Sequence, residues 1–220
     1  MCGIVGYLDK PNGDESLLKK MLSSIKHRGP DASGVYSEGE SLGIGMNQLK
    51  IVSDIESPMP IPSSSNYHAY NGEIYSLVNE KFPSSVMDEI AYLETNPIMN
   101  NNGMFATAKW NSEDKKLYLS RDPLGIKPLY YKNSSDGGKL ICSEIKGISS
   151  VEQSSINPLH LHECILLGSN LYNDTIYNDI YEAPCGYSFN ISDGTKKRID
   201  FSNNTSLGIF DEIKKSVINC

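Results

Sequence analysis

Cys2 is the residue in this sequence with the most chemistry available to it. Cells remove an initiator methionine when the next side chain is small, and Cys qualifies. The mature chain is therefore expected to begin with a residue carrying both a thiol and a free α-amine. A thiol titrates near about 8.5 and an α-amine near about 8. Such a residue holds a nucleophile together with its own general base and needs no separate histidine. The competing reading of position 2 alone is a small buried residue in the apolar run Cys2 to Leu8. Two other groupings carry less. Arg28 and Asp31 flank Gly29-Pro30 and either brace the surroundings of Cys2 or hold their own loop by a mutual ion pair. His160, His162, Glu163 and Cys164 are too tightly spaced on a helix to converge on one metal ion, so no metal is expected there.

The elements that must position Cys2 follow from periodicity. Cys2 to Leu8 is short, apolar and β-branched and reads as a buried strand. After the turn Pro11-Asn12-Gly13-Asp14, the spacing of Leu17, Leu18, Met21, Leu22 and Ile25 predicts a helix over Glu15 to Lys26, with Asp14 as N-cap. Leu42 to Val52 reads as two short strands, and Tyr67 to Tyr70 as a strand ending at Asn71-Gly72. Asp88 to Leu93 and Pro158 to Leu167 read as helices. Hairpins are expected for Met104–Trp110 with Lys116–Arg121, Leu129–Lys132 with Lys139–Ser143, and Tyr187–Ile191 with Lys196–Phe201. Ser57 to Asn66 and Asn96 to Gly103 read as loops, and Leu207 to Ile218 as a last helix. Many strands at hairpin spacing with few helices predict an α+β fold of antiparallel sheets.

Composition narrows the function classes. Across 220 residues, 20 basic and 27 acidic side chains leave a net charge of −7, which argues against a nucleic-acid partner. With 39% apolar and 21% charged residues, the chain fits an ordinary globular domain, and its apolar runs are too short for a bilayer span. The five cysteines are odd in number and none sit at CxxC spacing, which points to neither a zinc ribbon nor a disulfide framework. With no basic-then-apolar leader visible, a reducing cytoplasm is the expected location.

Five blocks then occur in order: Met1-Cys2-Gly3-Ile4-Val5-Gly6, His27-Arg28-Gly29-Pro30-Asp31, Tyr70-Asn71-Gly72-Glu73-Ile74-Tyr75, Arg121-Asp122-Pro123-Leu124-Gly125-Ile126-Lys127-Pro128-Leu129-Tyr130-Tyr131 and Ser143-Glu144-Ile145-Lys146. Together they closely resemble the glutaminase domain of glutamine-hydrolysing asparagine synthetases, class II glutamine amidotransferases of the N-terminal-nucleophile hydrolase superfamily. The resemblance implies a four-layer αββα sandwich of two antiparallel sheets. It implies that Cys2 attacks the side-chain amide of glutamine, that ammonia leaves, and that water hydrolyses the glutamyl thioester. It makes the Asn71 side chain and the Gly72 backbone N–H the oxyanion donors, one such donor being worth roughly 3–4 kcal/mol elsewhere. Glycine suits the second role because it lets backbone approach a ligand closely. Outside that context, Asn-Gly would read as a turn. By the same resemblance, Gln48, Leu49, Lys50, Ile51, Val52, Glu73 and Asp88 fall in the substrate pocket, with Arg28 and Asp31 behind it. No cofactor is implied.

The sequence departs from the family in two places. The usual His-x-Arg-Leu-Ser/Ala-Ile-x-Asp is here Met46 to Asp54, with Gln48 at the arginine that grips the substrate α-carboxylate and one extra residue before Asp54. Gln48 brings neither charge nor a bidentate fork. Residues 48 and 50 of a strand share a face, so Lys50 either supplies the missing charge or is a solvated strand lysine. The family's Ser-Asp-x-Glu, whose aspartate holds the α-amine, has Asp88 as its nearest match. Matching its serine to Ser85 instead puts Val86 at the aspartate.

Residues 1–206 are thus expected to form the amidotransferase domain, with 207–220 leading toward a synthetase domain or serving as a docking segment. A Ser-Gly-Gly-Leu-Asp-Ser pyrophosphate loop does not occur, so these residues alone are not expected to make asparagine: the chain is read either as a fragment or as one that passes ammonia to a separate ATP-dependent synthetase subunit or domain, or to nothing. Two other readings of the same residues are a non-catalytic amidotransferase-like binding module and an N-terminal cysteine hydrolase of a different amide.

Overall fold

A computed structural model of the chain describes residues 1–51, 60–63, 65–76, 85–95 and 102–199. The first sheet contains β1 (Gly3–Leu8), β2 (Ala32–Ser37), β3 (Leu42–Gln48), β8 (Tyr130–Asn133), β9 (Lys139–Cys142) and β10 (Ile180–Glu182), in the order β10-β8-β9-β1-β3-β2. The second contains β4 (Ile61–Ser63), β5 (Asn66–Ser76), β6 (Asn102–Asn111), β7 (Lys116–Arg121), β11 (Tyr187–Asn190) and β12 (Lys196–Arg198), in the order β12-β11-β7-β6-β5-β4. The pairings within both sheets are antiparallel.

Both faces of β1 are covered, which explains its unbroken apolar run. Ile4 and Leu8 point between the sheets, where they meet Leu42, Ile44 and Met46 of β3 and Ala69, Ala106, Ala108, Trp110 and Leu119 of the second sheet. Val5 and Tyr7 point the other way, onto Leu18, Met21, Leu22 and Ile25 of the α1 region (α1, Glu15–Ser24) and Ile148 of α3 (Ile145–Ser149). On the far face of the second sheet, α2 (Val86–Thr95) sets Ile90 and Val86 against Tyr70 and Phe105. The layers therefore run helix, sheet, sheet, helix, the αββα sandwich that the sequence predicts. Asp14 caps α1, accepting the Leu17 N–H at 2.9 Å.

Several elements differ from the expectation. Leu42 to Gln48 is one strand, and the segment that follows is irregular as far as Ile51. β2, with its Gly and Ser, lacks apolar alternation but pairs along its whole length with β3. β5 does not stop at Asn71-Gly72: it continues to Ser76, paired with β6 across that dipeptide. Gly72 is used there for close approach. A Cβ at Gly72 would lie 2.6 Å from the Phe105 Cα of the neighbouring strand. α4 (Pro158–Leu167) forms where predicted, capped by Asn157, yet among the described residues it buries none of its side chains. The predicted helix Leu207 to Ile218 lies outside the described residues, as do 57–59 and 64 of one expected loop and 96–101 of the other; the rest of the first is not a loop, because Ile61–Ser63 pairs with β5 as β4 and Asn66 begins β5, and Asn102-Gly103 opens β6.

Candidate active site

Alternation along three strands brings the site together. Even-numbered residues of β1 and β3 face the space between the sheets, and so do odd-numbered residues of β5 around Ala69. Cys2, just before β1, packs against that inter-sheet cluster. Gln48 ends β3, and Asn71 and Glu73 continue β5. One pocket at this end of the sandwich is lined by Met1, Cys2, Gln48, Asn71, Gly72 and Glu73, together with Leu49, Lys50, Ile51, Val86, Glu89 and Lys127.

Cys2 is held from behind. Arg28 is 6% exposed. Its Nε donates to the Cys2 carbonyl at 3.0 Å, and its Nη1 donates to Glu144 Oε1 at 2.9 Å. Burial works against the Glu144 carboxylate, but donors from Arg28, His27 and Lys146 outweigh it and hold its pKa at about 2. The expected alternative, an Arg28–Asp31 ion pair, does not form: Asp31 Oδ2 accepts the Lys50 backbone N–H at 2.8 Å. Gly29 lets this loop lie against β3, where a Cβ would come within 2.6 Å of the Gln48 nitrogen. Beyond β1, Ser143 Oγ accepts the Ile4 N–H and the Ser143 N–H donates to the Ile4 carbonyl, both at 2.9 Å.

The thiol of Cys2 donates to the Leu49 carbonyl at 3.8 Å. Burial pushes its pKa up. The Leu49 contact, the terminal ammonium, Arg28 and Lys127 pull the other way. Asn71 is 2% exposed, and its Nδ2 has no hydrogen-bond partner among the described residues. A buried amide N–H₂ left unsatisfied is costly in a folded protein. Here it faces a pocket that also contains a thiol, which is the arrangement a donor to a developing oxyanion requires.

The recognition residues are less regular. Gln48 is buried, and its Oε1 also lacks a partner among the described residues. Lys50 lines the same pocket, although β3 has ended before it, so the shared strand face expected for residues 48 and 50 does not exist. Leu49 and Ile51 line the wall, whereas Val52 lies outside the described residues. Asp88 is exposed and away from the pocket, bonded to Ser85 Oγ at 3.0 Å in the cap of α2. Val86 and Glu89 reach the pocket instead. Glu89 Oε2 accepts the Tyr70 hydroxyl, and the Ile74 N–H at 3.3 Å. Burial raises the Glu89 carboxyl to about 7, against the pull of those two donors. Sequence reasoning passed over Glu89, Glu144 and Lys127. The last two sit inside the quoted blocks, and Glu89 adjoins Asp88 with no spacing signal of its own.

Among the described residues, no three His, Cys, Asp or Glu side chains gather as a metal site. No helix among them is long and apolar enough to cross a membrane.

Comparison with known proteins agrees with this geometry. The profile of the glutamine amidotransferase domain family matches residues 1–82 and 86–202. Asparagine synthetase 1 (glutamine-hydrolyzing) of Bacillus subtilis is 34% identical over 158 residues, covering 62% of this chain and 25% of the relative. Asparagine synthetase 2 (glutamine-hydrolyzing) of Arabidopsis thaliana is 31% identical over 199 residues, covering 81% and 34%. The chain thus spans between a quarter and about a third of these relatives' length. The solved glutamine phosphoribosylpyrophosphate amidotransferase of B. subtilis shares the fold, with a TM-score of 0.61 at 16% identity over 92% of this chain and 50% of its own. The chain belongs to the glutamine amidotransferase domain family.

Proposed function

We propose that this domain hydrolyses the side-chain amide of glutamine to glutamate and ammonia, with Cys2 as nucleophile. The observation that carries this reading is the buried, unpartnered Asn71 Nδ2 sharing a pocket with Cys2 and Gly72. Removal of Met1 frees the Cys2 α-amine, which takes the thiol proton. The sulfur attacks the amide carbon, and the oxyanion is met by Asn71 Nδ2 and the Gly72 N–H. The C–N bond breaks as the amine returns the proton to the leaving nitrogen, releasing ammonia. Water then cleaves the thioester, releasing glutamate and restoring the thiol.

Residues 1–206 form the amidotransferase unit in this reading, and 207–220 connect or dock it to an ATP-dependent synthetase that consumes the ammonia. A reducing cytoplasm suits the free thiol of Cys2. The test is to incubate the processed protein with glutamine and measure glutamate and ammonia, with Cys2→Ala as control and intact mass to establish that Met1 is gone. Release that persists in Cys2→Ala rules out this chemistry. If neither form releases ammonia and glutamine does not raise the melting temperature, the domain is a binding module.

One observation favours a second reading, an amide other than free glutamine. Gln48 places a buried neutral amide with an unfilled acceptor where the family has an arginine. Faster turnover of L-glutaminamide than of glutamine is the outcome that selects it.

A further inference from the structure

Three lysines among the described residues are buried, and they are treated differently. Lys10 meets Asp136 at 2.5 Å and Glu152 at 2.8 Å. Lys132 meets Asp179 at 2.8 Å and Glu152 at 3.2 Å. Lys127 is 7% exposed and lines the pocket, yet its ammonium has no hydrogen bond or ion pair among the described residues. An ammonium buried without a counter-charge is strongly disfavoured.

The fold nevertheless fixes Lys127 firmly. Asp122 Oδ2 accepts its N–H at 3.1 Å, and Arg121 Nε donates to its carbonyl at 3.0 Å. Asp122 also accepts the Phe105 N–H at 3.2 Å, and Phe105 is the cross-strand partner of Gly72. The loop that presents Lys127 is therefore tied to β6, the strand paired with β5 across Asn71 and Gly72.

We propose that Lys127 is a positioning residue of the nucleophile, its ammonium serving as the counter-charge of the Cys2 thiolate; this rests on Cys2 being the nucleophile. The thiol proton passes to the α-amine of Cys2, the negative charge stays on sulfur, and Lys127 keeps its proton throughout. The other charged or titratable groups around Cys2 leave this role open. Arg28 is shared between Glu144 and the Cys2 carbonyl. Tyr70 from β5 is bonded to Glu89 of α2. Glu73 and Glu89 are acidic and would oppose a thiolate. Lys50 stands on the Gln48 to Ile51 segment, on the recognition side. Arg28 and Lys127 both favour the charged sulfur, but Arg28 is already committed to a carboxylate and a carbonyl, and the Met1 ammonium is lost on processing, so Lys127 is the cation left without another partner among the described residues.

The test reads the thiol directly. The processed protein is alkylated with iodoacetamide across pH, and Cys2 is followed by peptide-resolved mass spectrometry so that the other thiols do not interfere. Lys127→Met should move the apparent pKa of Cys2 alkylation up by about one unit, a tenfold loss of thiolate below it, and Lys127→Arg should restore it. In turnover, kcat at low pH should fall by a similar factor while KM for glutamine stays fixed. An unchanged alkylation profile in folded Lys127→Met overturns the proposal. So does a raised KM with kcat and pH profile intact, which would make Lys127 the anchor of the substrate carboxylate.

If Lys127→Met does not fold, the wild type supplies the answer. Anionic iodoacetate should modify Cys2 several-fold faster, relative to iodoacetamide, than it modifies free cysteine. An equal or lower ratio overturns the proposal. A shifted alkylation profile without ammonia release from glutamine would refute the proposed hydrolysis and leave this assignment standing.

Discussion

The two ends of the pocket are built to different standards. At the Cys2 end the backbone on either side is pinned by charged groups: buried Arg28 on the Cys2 carbonyl, half-buried Glu144 on Arg28, and buried Asp122 on the strand behind Gly72. At the recognition end a neutral Gln48 has no partner for its oxygen, β3 stops short of Lys50, and Val86 stands near where the family has an acid. Bond making tolerates little displacement of nucleophile and donors, whereas recognition is a sum of replaceable contacts. The comparison teaches that, in the proposed reading, the Cys2–Asn71–Gly72 end is held by bonds that fix it, while the end around Gln48 and Lys50 departs from the family pattern.

The most severe way to break that contrast is at sulfur. Cys2→Ala should lower glutamate release at least about a thousandfold and leave the unfolding midpoint close to wild type. Next, Asn71→Leu should cost about 10²–10³ in kcat. It should not destabilise the fold, because it removes a buried donor that has no partner; a large fall in the urea midpoint would show that Asn71 is structural.

Glu144→Gln should cost about 2 kcal/mol in urea unfolding at pH 7, since it leaves Arg28 buried with less compensation. The Glu144 carboxyl has a folded pKa below its unfolded one, so its contribution is present above about 4.5 and is lost as pH falls toward about 2. The variant should lack that acid-side loss. At the recognition end, Gln48→Arg should lower KM for glutamine roughly ten- to a hundredfold with kcat little changed. An unchanged KM would remove position 48 from substrate recognition, and an unchanged KM in Lys50→Ala would remove the expected role of Lys50. The smallest effect concerns Glu89. Its folded pKa of about 7 lies above the unfolded value, so its stabilisation is present below about 4.5 and is lost as pH rises through 7. Glu89→Gln should flatten that decline and be the more stable protein at pH 8, which thermal melts across pH will show.

Much of this was legible in the chain. The apolar run of β1 and the capped helix α1 follow from local pattern, the antiparallel α+β class follows from the count and spacing of hairpins, and the sandwich follows only from the family resemblance. Cys2 as the candidate nucleophile is legible from position and residue type together. What escaped was decided by tertiary contact. β2 carries Gly and Ser rather than alternating apolar residues and is a strand because β3 pairs with it. Asn71-Gly72 has the chemistry of a turn, but Gly72 serves the close approach of β6 and the strand runs on. Asp88 and Glu89 differ by one position on a helix, which is about 100° of rotation. The local pattern does not say which of them faces the pocket, and packing of Ile90 against Tyr70 and Phe105 settles it for Glu89.

The bond pair between Ile4 and Ser143 joins positions 139 apart in sequence. A chain terminus usually frays, but here the first strand lies between β9 and β3 and its end is fastened by a residue from late in the polypeptide. During synthesis the thiol therefore emerges well before the residue that fastens its strand, which lies 139 positions after Ile4. The strand that carries it waits, unpaired on one edge, until β9 has left the ribosome, and contacts of such long range close slowly. Reactivity at Cys2 is in this sense a report on completed folding: truncation before Ser143 should yield a thiol with ordinary solution behaviour.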